Sequence, residues 1–285
     1  MADRHLDRRT WNLERGTMPN NRATSRAAAC PSPTPAERHT LRLGAIAGTL
    51  RGCASVSLSE PEIRGLAQIV RPGDVCFDIG AAYGMYTYPL AALVGARGQV
   101  HSFEPLPNPY RILAAGHRAS GARHIRICNA ALGNDSGSQR MTLPYRFGLP
   151  IHGWAHLQTG KLSPGRRRSF SAERTLSTQV HTVDEICARR GLERVDFMKI
   201  DVEGFESAVL SGAARTLEQH HPALLLEIED RHLAKYGITS GMVAQSLLHR
   251  GYTMYAWRRR RWTRVAEVTT AGRNYLFATD RTWLR

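Results

Sequence analysis

Three residues near the start of the regular part of the chain have the types and spacing to cradle a nucleoside. In "VCFDIGAAYG" (75–84) an apolar strand runs into a turn, with Asp78 at the strand end and Gly80 and Gly84 beyond it. Glycines there let the backbone bend sharply and approach a ligand with no Cβ in the way. Further on, "VHSFEP" ends a second strand at Glu104, where a carboxylate can accept hydrogen bonds from two ribose hydroxyls. A dinucleotide site wants G-x-G-x-x-G, so that amides and a helix N-terminus surround a pyrophosphate. The pattern here is D-x-G-x-x-x-G, and a carboxylate beside the loop makes an anion a poor guest.

A nucleoside that carries an ammonium instead of a phosphate meets those terms, and S-adenosylmethionine is such a molecule. Its amino group would face Asp78, its carboxylate would use amides of the loop formed by Gly80, Ala82, Tyr83 and Gly84, and its ribose would face Glu104. Asn129 ends the third strand, where it can meet the adenine or simply turn the chain.

A second set of groups lies in "VDFMKIDVEG" (195–204). Lys199, Asp201 and Glu203 alternate, which on a strand puts them on one face. Three charges on one face of a central strand are costly unless paired or at the strand end. Asp201 and Glu203 are therefore expected at the carboxyl rim, beside the cofactor's sulfonium. There they could position the methyl donor, take a proton from an acceptor hydroxyl, or bind a divalent ion. The plainer alternatives are a Lys199–Glu203 pair or a cap on the following helix.

Methyl transfer is an in-line displacement, so orientation dominates, at roughly 7 to 11 kcal/mol. A general base adds about 10²- to 10⁴-fold. Aspartate starts near a pKa of about 3.9 and histidine near about 6.5, which makes His152 and His156 of "IHGWAHLQ" alternative bases. Glu227, in "LLLEIE", is expected to look into the cleft towards a sugar acceptor, or else to pair with Arg231. Trp154 offers a stacking face for a sugar ring, or pins its own loop.

The elements that would hold these groups alternate. "DVCFDIG", "GQVHSFEP", "IRICNAAL", "VDFMKIDVEG" and "PALLLEIE" read as strands, with helical segments between them. Such alternation means right-handed crossovers and a mostly parallel α/β sheet covered on both faces. "SLSEPEIRGLAQIV" starts a helix at Ser59, and a further helix spans about 241–249. "YTMYAW" and "NYLFAT" close the series as mutually antiparallel strands, joined by an arginine-rich connection. Residues 143–177 lack a clear period, and a loop of that length in a compact domain is usually functional or disordered. It is expected to cover the substrate site.

Residues 1–40 mix Arg, Ala, Ser and Pro without apolar periodicity and are expected to be a disordered basic tail, leaving 41–285 as one domain. The five cysteines are scattered and form no CxxC or Cys/His cluster, which argues against a disulfide framework and a zinc site. No run of about 18 apolar residues and no signal-like segment is present, so a soluble, cytoplasmic protein is expected. The net charge of +15 is uneven: residues 1–40 carry +3, residues 161–175 carry +4 and residues 258–264 carry +5. These patches suit phosphate, an anionic glycolipid or a membrane surface.

"FDIGAAYGMYT", "VHSFEPLPNPYRIL", "NAALG", "VDFMKIDVEGFESAVLSGA" and "PALLLEIE" resemble the FkbM family of S-adenosylmethionine-dependent methyltransferases, over roughly residues 75–229. The resemblance implies a Rossmann-like class I fold, a seven-stranded sheet whose last strand is antiparallel, and O-methylation of a hydroxyl on a sugar, glycolipid or natural product. The family turn reads D-I-G-A-N-x-G, and Ala82 stands where its asparagine would be. The competing readings are a nucleic-acid methyltransferase, suggested by "GRRRS" and "WRRRRWTR", and a degenerate cofactor-binding protein. Against the first, the fourth strand carries "DVEG" where nucleobase methyltransferases carry an Asn-Pro-Pro-aromatic motif.

Overall fold

The computed structural model describes residues 35–55, 60–147, 149–158 and 171–283. The described chain starts with α1 (Pro35–Ser55) and a 3₁₀ turn (Pro61–Gln68), followed by β1 (Val75–Ile79), α2 (Thr87–Val94), β2 (Gln99–Phe103), α3 (Pro107–Ser120) and β3 (Ile125–Cys128). Next come β4 (Ala131–Leu132), β5 (Gly137–Arg146), β6 (Leu149–Pro150), β7 (His156–Leu157) and β8 (Ala172–His181). The second half holds α4 (Val183–Arg190), β9 (Phe197–Ile200), α5 (Glu206–Ser211), α6 (Ala214–His220), β10 (Ala223–Glu227), α7 (Asp230–Leu233) and α8 (Ser240–Leu248). It ends with β11 (Thr253–Arg258), β12 (Arg261–Arg264), β13 (Asn274–Ala278) and α9 (Asp280–Trp283).

The expected tail of residues 1–40 overlaps the structure only at 35–40, which are helical; the rest of it lies outside the described residues. Ser59, the expected helix start, also lies outside them, and Pro61 opens a 3₁₀ turn instead of an α-helix.

The main sheet has the order β12-β11-β13-β10-β9-β1-β2-β3. β3, β2, β1, β9 and β10 are parallel, while β13 is antiparallel to both β10 and β11, as the alternation and the closing strand pair require. The sheet has eight strands where seven were expected. The additional one, β12, lies inside the arginine-rich connection and pairs with β11 through Arg258↔Arg261. Its four residues are too few, and too charged, to stand out as a strand in sequence.

Both faces of the sheet are covered, so its central strands are apolar throughout; every residue of β1 and β10 is buried. Val183, Ile186, Val209, Leu217, Val243 and Leu247 pack on one face, and Leu43, Ile63, Leu66, Leu90, Val94 and Leu113 on the other. Each such side chain contributes about 1.5 to 3 kcal/mol on burial. Local chemistry sets the helix ends: Thr182 Oγ1 accepts from the Glu185 amide at the start of α4, and Gly191 closes that helix in the left-handed region.

Where it is described, the stretch expected as a long loop is mostly strand. β5 and β8 pair antiparallel over nine positions from Gly137↔Val180 to Tyr145↔Ala172, with β4, β6 and β7 beside them. Pro144 within β5 and the mostly exposed face of β8 hid the period of two. This second sheet rests on Met141, Leu143, Leu157, Val180, Phe205 and Tyr236, which fasten it over the carboxyl ends of the main strands. Tyr236 also donates to the Leu157 carbonyl at 2.8 Å. Residues 159–170 lie outside the described part.

Two backbone features generate measurable expectations. Gly65 is packed under a T-shaped pair, Trp257 and Trp262, and an added Cβ would lie 2.7 Å from both rings. Gly65→Ala should therefore overpack this contact and lower stability by about 1 to 3 kcal/mol, read as a drop in melting temperature. Ala82 sits at φ 45°, in the left-handed region where asparagine is tolerated better than alanine. Ala82→Asn should raise stability by about 1 kcal/mol in denaturant titration, and an unchanged or lower midpoint would contradict this account of the turn.

Candidate active site

A cavity of about 310 Å³ opens at the carboxyl ends of β1, β2 and β9, where the strand order reverses around β1. Gly80, Ala82, Tyr83, Met85, Glu104, Asp201 and Glu203 line it together with apolar residues from the Phe103–Leu106 and Ala130–Leu132 segments. The second sheet closes it from above with Met141, Gly153, Ala155 and Leu157.

Glu104 is 4% exposed. One carboxylate oxygen accepts from the Ala82 amide and the other from the Leu106 amide, both at 2.8 Å. The side chain therefore ties the turn after β1 to the start of α3. Burial pushes its pKa up to about 7, against those two amides. A carboxylate has roughly four acceptor sites, so two remain for hydroxyls from the cavity. Gly80 is required by a close approach: a Cβ there would lie 1.8 Å from the Asp201 carbonyl oxygen, and its φ is 82°.

Several expected cofactor contacts are placed differently. Asp78 is 1% exposed and does not line the cavity. It accepts from Thr87 Oγ1 at 2.6 Å, and Thr87 in turn meets Ser102 Oγ at 2.9 Å. Asp78 thus locks β1 to α2 and β2, and burial raises its pKa to about 6. Gly84 also faces away from the cavity, since a Cβ there would meet the Tyr88 ring at 2.4 Å. Asn129 donates to the carbonyls of Glu104 and Pro105 at 2.8 and 3.1 Å, so it turns the chain.

β9 ends at Ile200, and only Lys199 of the alternating charges lies in the strand. Lys199 is 1% exposed and donates to Asp201 at 3.3 Å and to Asn274 at 3.1 Å; its ammonium lies 5.1 Å from the centre of the Tyr86 ring. Burial would lower its pKa, but Asp201, Glu60 and Glu227 reverse the shift and hold it charged. Burial pushes Asp201 up, yet Lys199 and a hydrogen bond from Glu227 outweigh it and keep its pKa below the ordinary value. Glu227 is pushed up to about 9 by burial and by the Asp201 charge. Within this hydrogen-bonded pair, Lys199 favours the charged form of Asp201 and burial favours the neutral form of Glu227.

Glu227 does not pair with Arg231, which bonds Glu229 instead; Arg273 lies 3.2 Å from Glu227. Glu60, Asp201 and Glu227 bring carboxylate oxygens within 4.8 Å of one another, a separation that could hold a cation. Lys199 and Arg273 already bring positive charge to this group.

Glu203 does not reach Lys199. It has φ 56°, lines the cavity, and its Oε2 lies 2.5 Å from His232 Nδ1. Burial, then the Asp201 charge, raises its pKa to about 8, while burial lowers His232 to about 4 and keeps that ring neutral. The helix-capping role goes to Glu206, whose Oε1 accepts from the Val202 and Gly204 amides.

His156 does not line the cavity. It sits in β7 between Ala155 and Leu157, which do, and its Nδ1 is 3.0 Å from the Trp154 carbonyl. The side chain of His152 lies outside the described residues. Trp154 is turned towards α7 and the residues after it: its ring centre is 5.1 Å from that of His232, with Arg231 and Lys235 cations 5.6 and 5.2 Å from it. These contacts tie the segment around Trp154 to α7 and the residues after it. Sequence reading missed Glu60, Tyr86, His232, Arg273 and Asn274 as members of the site. Glu60 was visible only as the residue before a helix-starting proline.

A family model described as the methyltransferase FkbM domain matches residues 78–254. Among characterised relatives, the chain is 31% identical over 163 residues to the 31-O-demethyl-FK506 methyltransferase FkbM of Streptomyces tacrolimicus, covering 50% of this chain and 60% of that protein. It is 23% identical over 158 residues to the hexuronic acid methyltransferase AglP of Haloferax volcanii, covering 55% of this chain and 56% of that protein. The chain thus spans less than two thirds of either relative. A solved FkbM methyltransferase from Methylobacillus flagellatus superposes with a TM-score of 0.44 at 16% identity, over 74% of this chain and 48% of the other. The match to more than half of the chain, on a Rossmann-like sheet with a cavity at its topological switch, places this protein in the FkbM family of S-adenosylmethionine-dependent methyltransferases.

Proposed function

We propose that the protein O-methylates a hydroxyl of a sugar, glycolipid or related natural product, with Glu104 holding the cofactor's ribose and Glu203 acting as the base. One observation carries this reading: Glu104, with spare acceptor sites, and the Asp201/Glu203 pair of carboxylates line a single cavity. The cofactor supplies an electrophilic methyl group on a sulfonium. The loop Gly80–Tyr83 and the apolar wall around Phe103 and Leu132 offer amides and a nonpolar surface to its remaining parts.

Asp201, ionised and clamped by Lys199, supplies fixed negative charge beside the transfer site, worth more in a desolvated cavity than in water. Glu203 suits proton removal better. A base is most effective when its pKa lies near the working pH, and Glu203, raised to about 8, lies closer to it than Asp201. Its left-handed backbone is the kind of strain that collects at functional positions. The neutral His232 ring lies against its carboxyl group. The relatives named for O-demethyl-FK506 and hexuronic acid substrates support a hydroxyl- or saccharide-bearing acceptor.

Glu104→Ala should abolish measurable cofactor binding in calorimetry; retained affinity would sink the ribose assignment. In the native protein, Glu104 must be ionised to accept two hydroxyls, and its unliganded pKa is about 7. Affinity should thus be full above pH 7 and weaken as pH falls below it, by at most tenfold per unit, with proton release on binding at pH 6.

Glu203→Gln should lower kcat by about 10²- to 10⁴-fold while leaving cofactor affinity intact. Because the base acts deprotonated, the native rate should rise with pH and level off above about 8. That limb should vanish in the variant. A variant with native kcat would remove Glu203 from the mechanism.

A further inference from the structure

The β11–β12 hairpin is the one arginine cluster whose placement is fully described. Arg258 pairs with Arg261 across a two-residue turn, Arg259–Arg260, with φ values of 49° and 65°. A turn that needs two left-handed residues normally takes Asn-Gly or Gly-Gly. Two arginines there cost conformational energy that the fold itself does not require. Edge-strand protection alone would be served by any charged side chain next to an unstrained turn. Arg258, Arg259, Arg260, Arg261 and Arg264 are all exposed. Among the described residues, none of the five forms an ion pair with a carboxylate.

The hairpin is also braced. Trp262 Nε1 donates to the Gly65 carbonyl at 3.1 Å, Gln68 donates to the Arg260 carbonyl at 3.3 Å, and both tryptophan rings pack on Gly65. Its position follows from register. Asn274 faces Glu227 at the carboxyl end of β10, and Tyr275 faces Ala256, so Arg258 emerges at the same rim as the cavity. β11 is three strand spacings from β9, so the turn lies roughly 15 Å to one side of Asp201.

We infer that this arginine turn is a docking surface for an anionic phospholipid bilayer, and that it presents the rim of the catalytic cavity to that surface. The turn is a convex tip, which meets a planar sheet of phosphates. A single-stranded nucleic acid would want a groove with free aromatic faces, and here Trp257 and Trp262 are spent on Gly65. Clustered basic residues bind anionic leaflets additively and lose that binding in salt.

The test is co-sedimentation of the full chain with vesicles of phosphatidylcholine alone and of phosphatidylcholine with one quarter phosphatidylglycerol, at 50 and 300 mM salt. The native protein should sediment only with the anionic vesicles and mainly at low salt. Arg259→Glu/Arg260→Glu should weaken that binding by more than about tenfold, with cofactor affinity unchanged as proof of folding. The control Arg123→Glu/Arg126→Glu makes the same charge change at exposed positions at the opposite edge of the sheet, by β3, and should bind nearly as the native chain does. Equal loss in both variants would reduce the effect to net charge and overturn the inference. So would undiminished binding by the turn variant, or tighter binding of a 20-nucleotide RNA than of the anionic vesicles under the same salt.

Discussion

The site is organised around a lysine ammonium buried in the middle of the sheet. Removing one partner from a buried charge costs about 3 to 5 kcal/mol, so the residues around Lys199 have little freedom to be elsewhere. Asp201 must turn back towards the strand it has just left, and Asn274 must stand at the head of β13 to offer its side-chain oxygen. The Tyr86 ring covers the ammonium while its hydroxyl donates to Glu60 at 2.5 Å, and Asn274 donates to the same Glu60 carboxylate at 3.0 Å. Four separate segments of the chain are thereby brought together by one charge. The same ammonium favours the charged form of Asp201. Burial is the larger cause of the raised Glu227 and Glu203 values, and the Asp201 charge adds to it.

The alternation of apolar strands and helices made the parallel sheet legible, because strands buried on both faces carry a continuous apolar run that nothing else in the chain imitates. The glycine turn and Glu104 were legible for a related reason: they are local in sequence, and their spacing reports the first two strands directly. What sequence did not show was where the chain leaves the sheet. An alternating K-I-D-V-E pattern reads as a strand to its end, yet Gly204 at φ 104° packs so closely against the His232 carbonyl that the backbone must turn by Glu203. For that reason Lys199 and Asp201 form a clamp while Glu203 turns away from them towards His232. Glu60 reaches the site through a hydrogen bond from Asn274, more than half the chain away, and no local pattern encodes that.

The second sheet is a case where local signals were real but misleading. Pro144 and the run of polar residues in β8 argue against a strand in isolation. The polar residues of β8 are tolerated because most of them are exposed, while Met141, Leu143, Leu157 and Val180 pack with Phe205 and Tyr236. The second sheet's alternation is also what decides between Ala155 and His156. With Ala155 and Leu157 facing the cavity, a side chain one position along must point elsewhere. His156 therefore does not line the cavity, whereas Glu203 does, and the side chain of His152 lies outside the described residues.

Asp78 shows the same principle at the turn. Its charge was expected to select an ammonium by contact, but full burial under Thr87 means that its influence on a ligand can only be electrostatic and at a distance. The groups that do reach the cavity are the backbone of Gly80 to Tyr83 and the Glu104 carboxylate, and the latter also receives the Ala82 amide. The turn is therefore held by the same carboxylate that faces the cavity. An alanine at position 82 weakens the turn's intrinsic preference for its left-handed conformation, and Glu104 compensates by holding the amide from outside. Loss of the Glu104 carboxylate would then release the strained turn, so a ribose held there as proposed would be coupled to local order more tightly than with an asparagine at position 82.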